Sequence, residues 1–268
     1  MLGKLIKYDL KSSGKLFLLL HGIFLIFCVL MRFIYMNRLD LIEPVDEKML
    51  VLSLLLFFTL FTVFVSALMF YTQMQIAFRY YRNLFSREGY LSWTLPVSGI
   101  QHLWAKIISG YILMAADLII IAAGILLLVT GNNVTTAYSM VSDDLTNELG
   151  LSIGTFALIL FVICLVSGIC SVVMIYFSVA VGQLFPSHRV LGAIAAYFIT
   201  STVMQVLSVI LMFLFGCFPG YMTYTLQGSA MADYLFRLIA VSLVLMLITT
   251  IAQYIATHYI MKKKINLL

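Results

Sequence analysis

Leu151–Val181 reads LSIGTFALILFVICLVSGICSVVMIYFSVAV, 31 residues without one charged side chain. The hydrocarbon core of a bilayer is about 30 Å thick and takes roughly 20 mostly apolar residues as a helix, so this run is long enough to cross it. Five more stretches read the same way: Leu16–Met36, Leu50–Tyr71, Ile107–Thr130, Leu191–Phe215 and Tyr234–Ile260. Backbone groups have no water to bond in hydrocarbon, and helices satisfy them internally. The expected fold class is therefore all-α integral membrane, one transmembrane domain of six spans over residues 1–268. A mean hydropathy of +1.09, with 63% hydrophobic and 10% charged residues, excludes a soluble reading.

The charges orient the spans. With the N-terminus inside, the inner segments carry Lys4, Lys7, Lys11, Lys15, Arg79, Arg82, Arg87, Lys106, Arg189, Lys262, Lys263 and Lys264, 12 of the 16 basic residues. Asp40, Glu43, Asp46, Glu47, Asp143, Asp144, Glu148 and Asp233 then fall outside. Basic residues are enriched on the cytoplasmic side of membrane proteins, and an even number of spans returns the C-terminus to it, so the expectation is N-in, C-in. The net charge of +5 is thus an attraction to anionic membrane lipid and not a nucleic-acid footprint. Cys28, Cys164 and Cys170 lie in spans and Cys217 in an outer loop, a pattern of apolar thiols, not of a disulfide framework.

The first fifteen residues, 1–15, form an amphipathic unit. At 100° per residue Lys4, Lys7, Lys11 and Lys15 share one arc and Leu2, Leu5, Ile6 and Leu10 another, as in a helix lying in the inner interface. Asp9 falls in the apolar arc, against that reading. The outer connections Asn37–Met49 and Gly131–Gly150 read as polar, acidic loops, and Gly216–Asp233 as a loop richer in Gly, Tyr and Met.

Residues 72–106 form the long inner connection: TQMQIAFRYYRNLFSREGYLSWTLPVSGIQHLWAK. It opens as a helical continuation, breaks at Gly89 and again at Leu95-Pro96, and restarts where Ser98 can cap the next helix. Both tryptophans of the chain, Trp93 and Trp104, sit in it, as suits headgroup depth. A short, capped, basic and aromatic element facing the cytosol is the form a docking surface takes.

Catalytic motifs are missing from the sequence. There is no G-x-x-x-x-G-K-[ST] phosphate loop, no H-E-x-x-H metal pair and no G-x-S-x-G elbow, and the four histidines stand at separate sites. The expectation is a chain that is no enzyme and carries no cofactor or metal. Asp117 is the one acidic residue deep in a span, where a carboxylate costs about 2.5–3.5 kcal/mol unless it meets a partner, a cavity or a proton. Its candidate partners are Thr200, Ser201, Thr202 and Gln205 of the fifth span, and Asp117 with Gln205 are the candidates for a translocation path. Ser167, Ser171, Ser178 and Gly182 share one face of the fourth span, as in close helix packing or a subunit interface.

The run GYLSWTLPVS (Gly89–Ser98), with Lys106-Ile107-Ile108 opening a span soon after, resembles the membrane subunits of ABC-2 type transporters. The opening MLGKLIKYDLKSS is similar to that family's N-terminal in-plane helix. The likeness covers the whole chain in layout and about ten residues in motif. The resemblance implies a bacterial plasma-membrane permease that pairs as a homodimer or heterodimer. It also implies a separate cytosolic ABC ATPase subunit docking on the segment between the second and third spans. By it, Arg82, Arg87 and Glu88 are the charged contacts of a coupling helix, and Tyr90 and Leu91 the apolar ones. The implied cargo is a drug, an antimicrobial peptide or a lipid-like molecule. Two other readings stay open: a membrane scaffold or sensor without transport, and an ion-coupled carrier using Asp117.

Overall fold

The computed structural model describes residues 2–38, 46–86, 89–94, 96–216 and 229–263. Among them there is no strand; the chain is a succession of helices. In order these are α1 (Leu2–Ile34), a 3₁₀ turn (Met36–Arg38), α2 (Glu47–Phe85), α3 (Gly89–Trp93), α4 (Gly99–Val129), α5 (Asn132–Leu149), α6 (Ile153–Gly182), α7 (Arg189–Leu214) and α8 (Ser229–Lys263). Six of them, α1, α2, α4, α6, α7 and α8, are long and apolar enough to cross a membrane. The chain is thus all-helical with the composition of a multi-pass membrane protein.

Local chemistry explains the helix ends. Asp46 accepts hydrogen bonds from the backbone N–H of Lys48 and Met49 and so caps α2. Ser98 and Gln101 form a reciprocal capping box at the start of α4, where the sequence places a helix start. The far end of α4 is closed by Arg32 of α1, whose guanidinium donates to the carbonyls of Leu127 and Thr130. Those carbonyls have no partner within their own helix, and a cation beside them also opposes the helix dipole. Arg32 is therefore anchored to the protein, not merely reaching for the membrane surface.

Two apolar cores hold the helices together. One joins α1, α2, α4 and α6 through Phe17, Tyr80, Leu84, Leu103, Val172 and Tyr176. At its centre the rings of Tyr80 and Tyr176 stack with centroids 4.0 Å apart, and the Tyr176 hydroxyl donates to the Lys106 carbonyl at 2.9 Å. The second core sits between α1, α2 and α4 around Phe24, Cys28, Phe57 and Ile121. Outside these cores the helices present bare leucine, isoleucine, valine and phenylalanine; within α7 only Ala196 is buried. Such a surface is stable against lipid tails and not against water.

The structure departs from the sequence reading in two places. The first fifteen residues are not a separate element, because α1 runs unbroken from Leu2 to Ile34. Gly14 is tolerated inside it, since one glycine in a helix costs only about 1 kcal/mol and the buried flank supports the helix beyond it. The segment read as a polar loop at Gly131–Gly150 folds as α5, closed by Gly150 in the left-handed conformation, φ 69°. That conformation ends helices through glycine because no Cβ opposes it.

Candidate functional site

Three polar features stand out among the described residues of α1 to α4. The first is the passage from α2 through α3 to α4. α2 is 39 residues long, about 58 Å at 1.5 Å per residue, so it reaches well past the thickness of a hydrocarbon core. It stops at Phe85; the Gly89 N–H then bonds the Ser86 carbonyl at 2.8 Å and turns the chain into α3. A Cβ at Gly89 would lie 2.7 Å from the Leu84 carbonyl oxygen, so only glycine fits this turn. Trp93 fastens the other end of α3 by donating its indole N–H to that same carbonyl at 3.1 Å. Its ring also lies against buried His102 of α4, with centroids 5.7 Å apart. α3 is thereby strapped to both neighbours and turns the exposed ring of Tyr90 outward. Arg82 is exposed on the last turn of α2. Arg87, Glu88 and the side chain of Leu91 lie outside the described residues.

The second feature is a buried hub around Asp9, between the start of α1 and the facing ends of α2 and α4. One carboxylate oxygen of Asp9 accepts from the Lys106 ammonium at 2.6 Å and the other from the Ser109 hydroxyl at 2.6 Å. Asn83 adds a longer contact at 3.4 Å, and Arg79 donates to the Asp9 backbone carbonyl at 2.8 Å. The four long-range partners come from α2 and α4, so the apolar arc that contains Asp9 faces protein. The lysine arc, Lys4, Lys7, Lys11 and Lys15, remains exposed. A cavity of about 250 Å³ adjoins the hub, and Asp9, Ser12, Asn83, His102 and Lys106 are among its walls.

The third feature is an interhelical pair deeper in the bundle. His21 Nε2 of α1 lies 2.6 Å from Asp117 Oδ1 of α4, both residues almost wholly buried. Nδ1 of the same ring is 2.8 Å from the Phe17 carbonyl oxygen. A carbonyl only accepts, so Nδ1 carries a proton, and the contact between Nε2 and Asp117 holds one further proton between the two groups. Imidazolium with carboxylate and imidazole with carboxylic acid both satisfy the geometry, and both are neutral as a pair. Phe17 stacks on the ring at 3.9 Å and fixes its orientation.

This arrangement corrects the expected partners of Asp117. Thr200, Ser201, Thr202 and Gln205 belong to α7, whereas Asp117 is met by α1. Gln205 instead opens on a separate cavity of about 600 Å³ between α6, α7 and α8. The two residues expected to share a pathway are not brought together. The polar stripe of α6 also divides: Ser167 and Ser171 line that cavity, while Ser178 and Gly182 are buried in helix contacts.

Sequence reading missed the Asp9 hub and the His21 partner. The misplaced charge of Asp9 in an apolar arc was the signal for the first. A histidine well inside a span, in a chain with one deep carboxylate, was the signal for the second. No family model, curated protein or solved structure matches the chain.

Proposed function

We propose that this chain is the membrane subunit of an ABC-type exporter of the cell membrane, oriented N-in and C-in, with ATP hydrolysed by a separate cytosolic partner. The observation that carries the reading is α3. A five-residue helix, bonded to α2 and α4 and presenting Tyr90, occupies the stretch whose sequence GYLSWTLPVS resembles the ABC-2 coupling segment. A helix so fixed moves only with its neighbours, so a push on Tyr90 would pass to α2 and α4 as rigid-body motion. The Asp9 hub ties the start of α1 to the same two helices, and so to the same motion. In this mechanism two permease subunits, alike or different, enclose the pathway. ATP-driven closure of the partner subunits tilts the spans through α3.

Mild-detergent purification of the tagged chain from its native membrane tests the proposal. The expected result is a co-purifying P-loop ATPase in stoichiometric amount, lost when Arg82, Arg87 and Glu88 are replaced together. Recovery of the chain without any ATPase would favour the scaffold or carrier readings.

One observation favours the ion-coupled carrier as a second reading: His21 and Asp117 hold a proton between two spans. A carrier of that kind would lose gradient-driven transport on Asp117→Asn and would show no nucleotide requirement.

A further inference from the structure

The cavity between α6, α7 and α8 has a composition unlike the rest of the bundle. Its walls carry the hydroxyls of Ser167, Ser171, Ser201, Ser208, Thr249 and Thr250, and the side-chain amides of Gln205 and Gln253. Sulfur supplies most of the remainder, from Cys170, Met174, Met204 and Met246. Among the described residues, no acidic or basic one lines the cavity.

Depth makes this composition informative. Ser171, Ser201 and Gln253 lie ten to twelve residues inside Gly182, Arg189 and Lys263, the ends of their helices. At 1.5 Å per residue that is about 15–18 Å, well within a hydrocarbon core. Polar groups at that depth ordinarily pair with one another or with backbone. Thr249 and Thr250 do so, donating to the carbonyls of Leu245 and Met246 one turn earlier. The amide of Gln253 does not: the residue is 9% exposed, and no hydrogen bond among the described residues reaches its side chain. No hydrogen bond among the described residues reaches the amide of the exposed Gln205 or the hydroxyls of half-buried Ser171, Ser201 and Ser208 either. Five polar side chains from three helices thus converge, unpartnered, on one space.

We infer that this cavity binds an uncharged amphiphile, a molecule with two or more hydroxyl, ester or amide groups on an aliphatic body, taken up from the bilayer. A bare hydrocarbon would leave the two amides unmet, and an ion would meet no countercharge. A neutral molecule that both donates and accepts hydrogen bonds satisfies the walls, and the flexible methionines adapt to its apolar part. The volume suits one such molecule, since small-molecule sites run from roughly 300 to 1,000 Å³. Entry is from the side, because Gln205 and Val209 are exposed on the same flank as the bare apolar residues Val206 and Ile210. That this ligand is also the cargo rests on the exporter reading above, so the test measures binding alone, without ATP or a partner subunit.

The full chain in phosphatidylcholine nanodiscs would be photolabelled with a diacylglycerol bearing a diazirine next to its headgroup. The matching diazirine phosphatidic acid serves as the charged counterpart. Labelled positions are read by mass spectrometry. The diacylglycerol is expected to mark cavity residues of α6, α7 and α8, and the phosphatidic acid to mark them weakly. The double variant Gln205→Leu, Gln253→Leu should lower cavity labelling about tenfold, the loss expected from two hydrogen bonds. Ser171→Leu fills the space from the third helix and should lower it independently, so the result does not hang on one variant's folding. Leu55→Val, on the exposed face of α2 and outside the cavity walls, should leave it unchanged. Equal labelling by both probes would overturn the assignment, as would labelling unaffected by the Ser171→Leu variant. So would a disulfide between two copies of a Gln205→Cys variant, which would show that a second subunit covers the opening.

Discussion

Asp9 and Lys106 are 97 residues apart in sequence, and their carboxylate and ammonium groups lie 2.6 Å apart in the fold. This contact pins the first turns of α1 to the start of α4. With Ser109, Asn83 and Arg79 around it, the pair is satisfied on nearly every side. Both side chains are about one-tenth exposed, so little solvent screens them.

That burial makes the pair asymmetric to mutation. Removing one partner strands the other as an uncompensated charge, which typically costs about 3–5 kcal/mol, while removing both is far milder. Asp9→Ala is expected to lower the thermal unfolding midpoint in detergent sharply. Asp9→Leu combined with Lys106→Met should recover much of that loss. A double variant as unstable as the single one would show that packing, not charge, governs the contact.

Asp117 separates hydrogen bonding from proton exchange. In Asp117→Asn the new amide can donate to Nε2 of a neutral His21, so stability should change little. Asp117→Ala leaves Nε2 buried without a partner, at about 1–3 kcal/mol. Melting curves of the two variants should therefore diverge. If the exporter reading holds, ATP-driven transport should survive the asparagine variant, which no longer exchanges a proton with His21.

Gly182 sets how closely α6 and α7 approach. A Cβ there would fall 2.6 Å from the backbone nitrogen of Ala193 and 2.6 Å from the carbonyl oxygen of Arg189. Backbone atoms cannot step aside, and overpacking of this kind typically costs about 1–3 kcal/mol. Gly168 in the same helix has nothing nearer than 3.6 Å, from the Tyr111 ring. Gly182→Ala should destabilise the chain measurably in a detergent melt, and Gly168→Ala should not.

Tyr90 and Trp93 divide contact from support on α3. Tyr90→Ala removes an exposed ring and should leave the melting midpoint unchanged while weakening ATPase co-purification. Trp93→Ala removes the strap to Leu84 and should loosen α3, read as faster amide hydrogen exchange across residues 89–94. A protected α3 in that variant would show that the turn at Gly89 is sufficient to hold it.

The class of the molecule is legible in the residues alone: six apolar runs long enough to cross a bilayer, whose backbone groups helices satisfy internally. The helix start at Ser98 is legible too, because capping is chemistry between residues three apart. The sequence could not determine which faces meet. The apolar arc around Asp9 looked lipid-facing because hydrophobicity is the same signal whether a helix packs on lipid or on another helix; α2 and α4 decided the matter. Residues 132–149 read as a loop because the stretch is polar and acidic overall, although Val134, Tyr138, Val141, Leu145 and Leu149 recur at the spacing of one helix face. Asp117 needed a partner on energetic grounds, yet the partner was fixed by the packing of α1 on α4, which brings His21 within 2.6 Å across 96 residues of chain. Spacing along a helix is local and legible, whereas the pairing of helices in an apolar bundle depends on shape and on a few polar contacts that only the tertiary structure brings together.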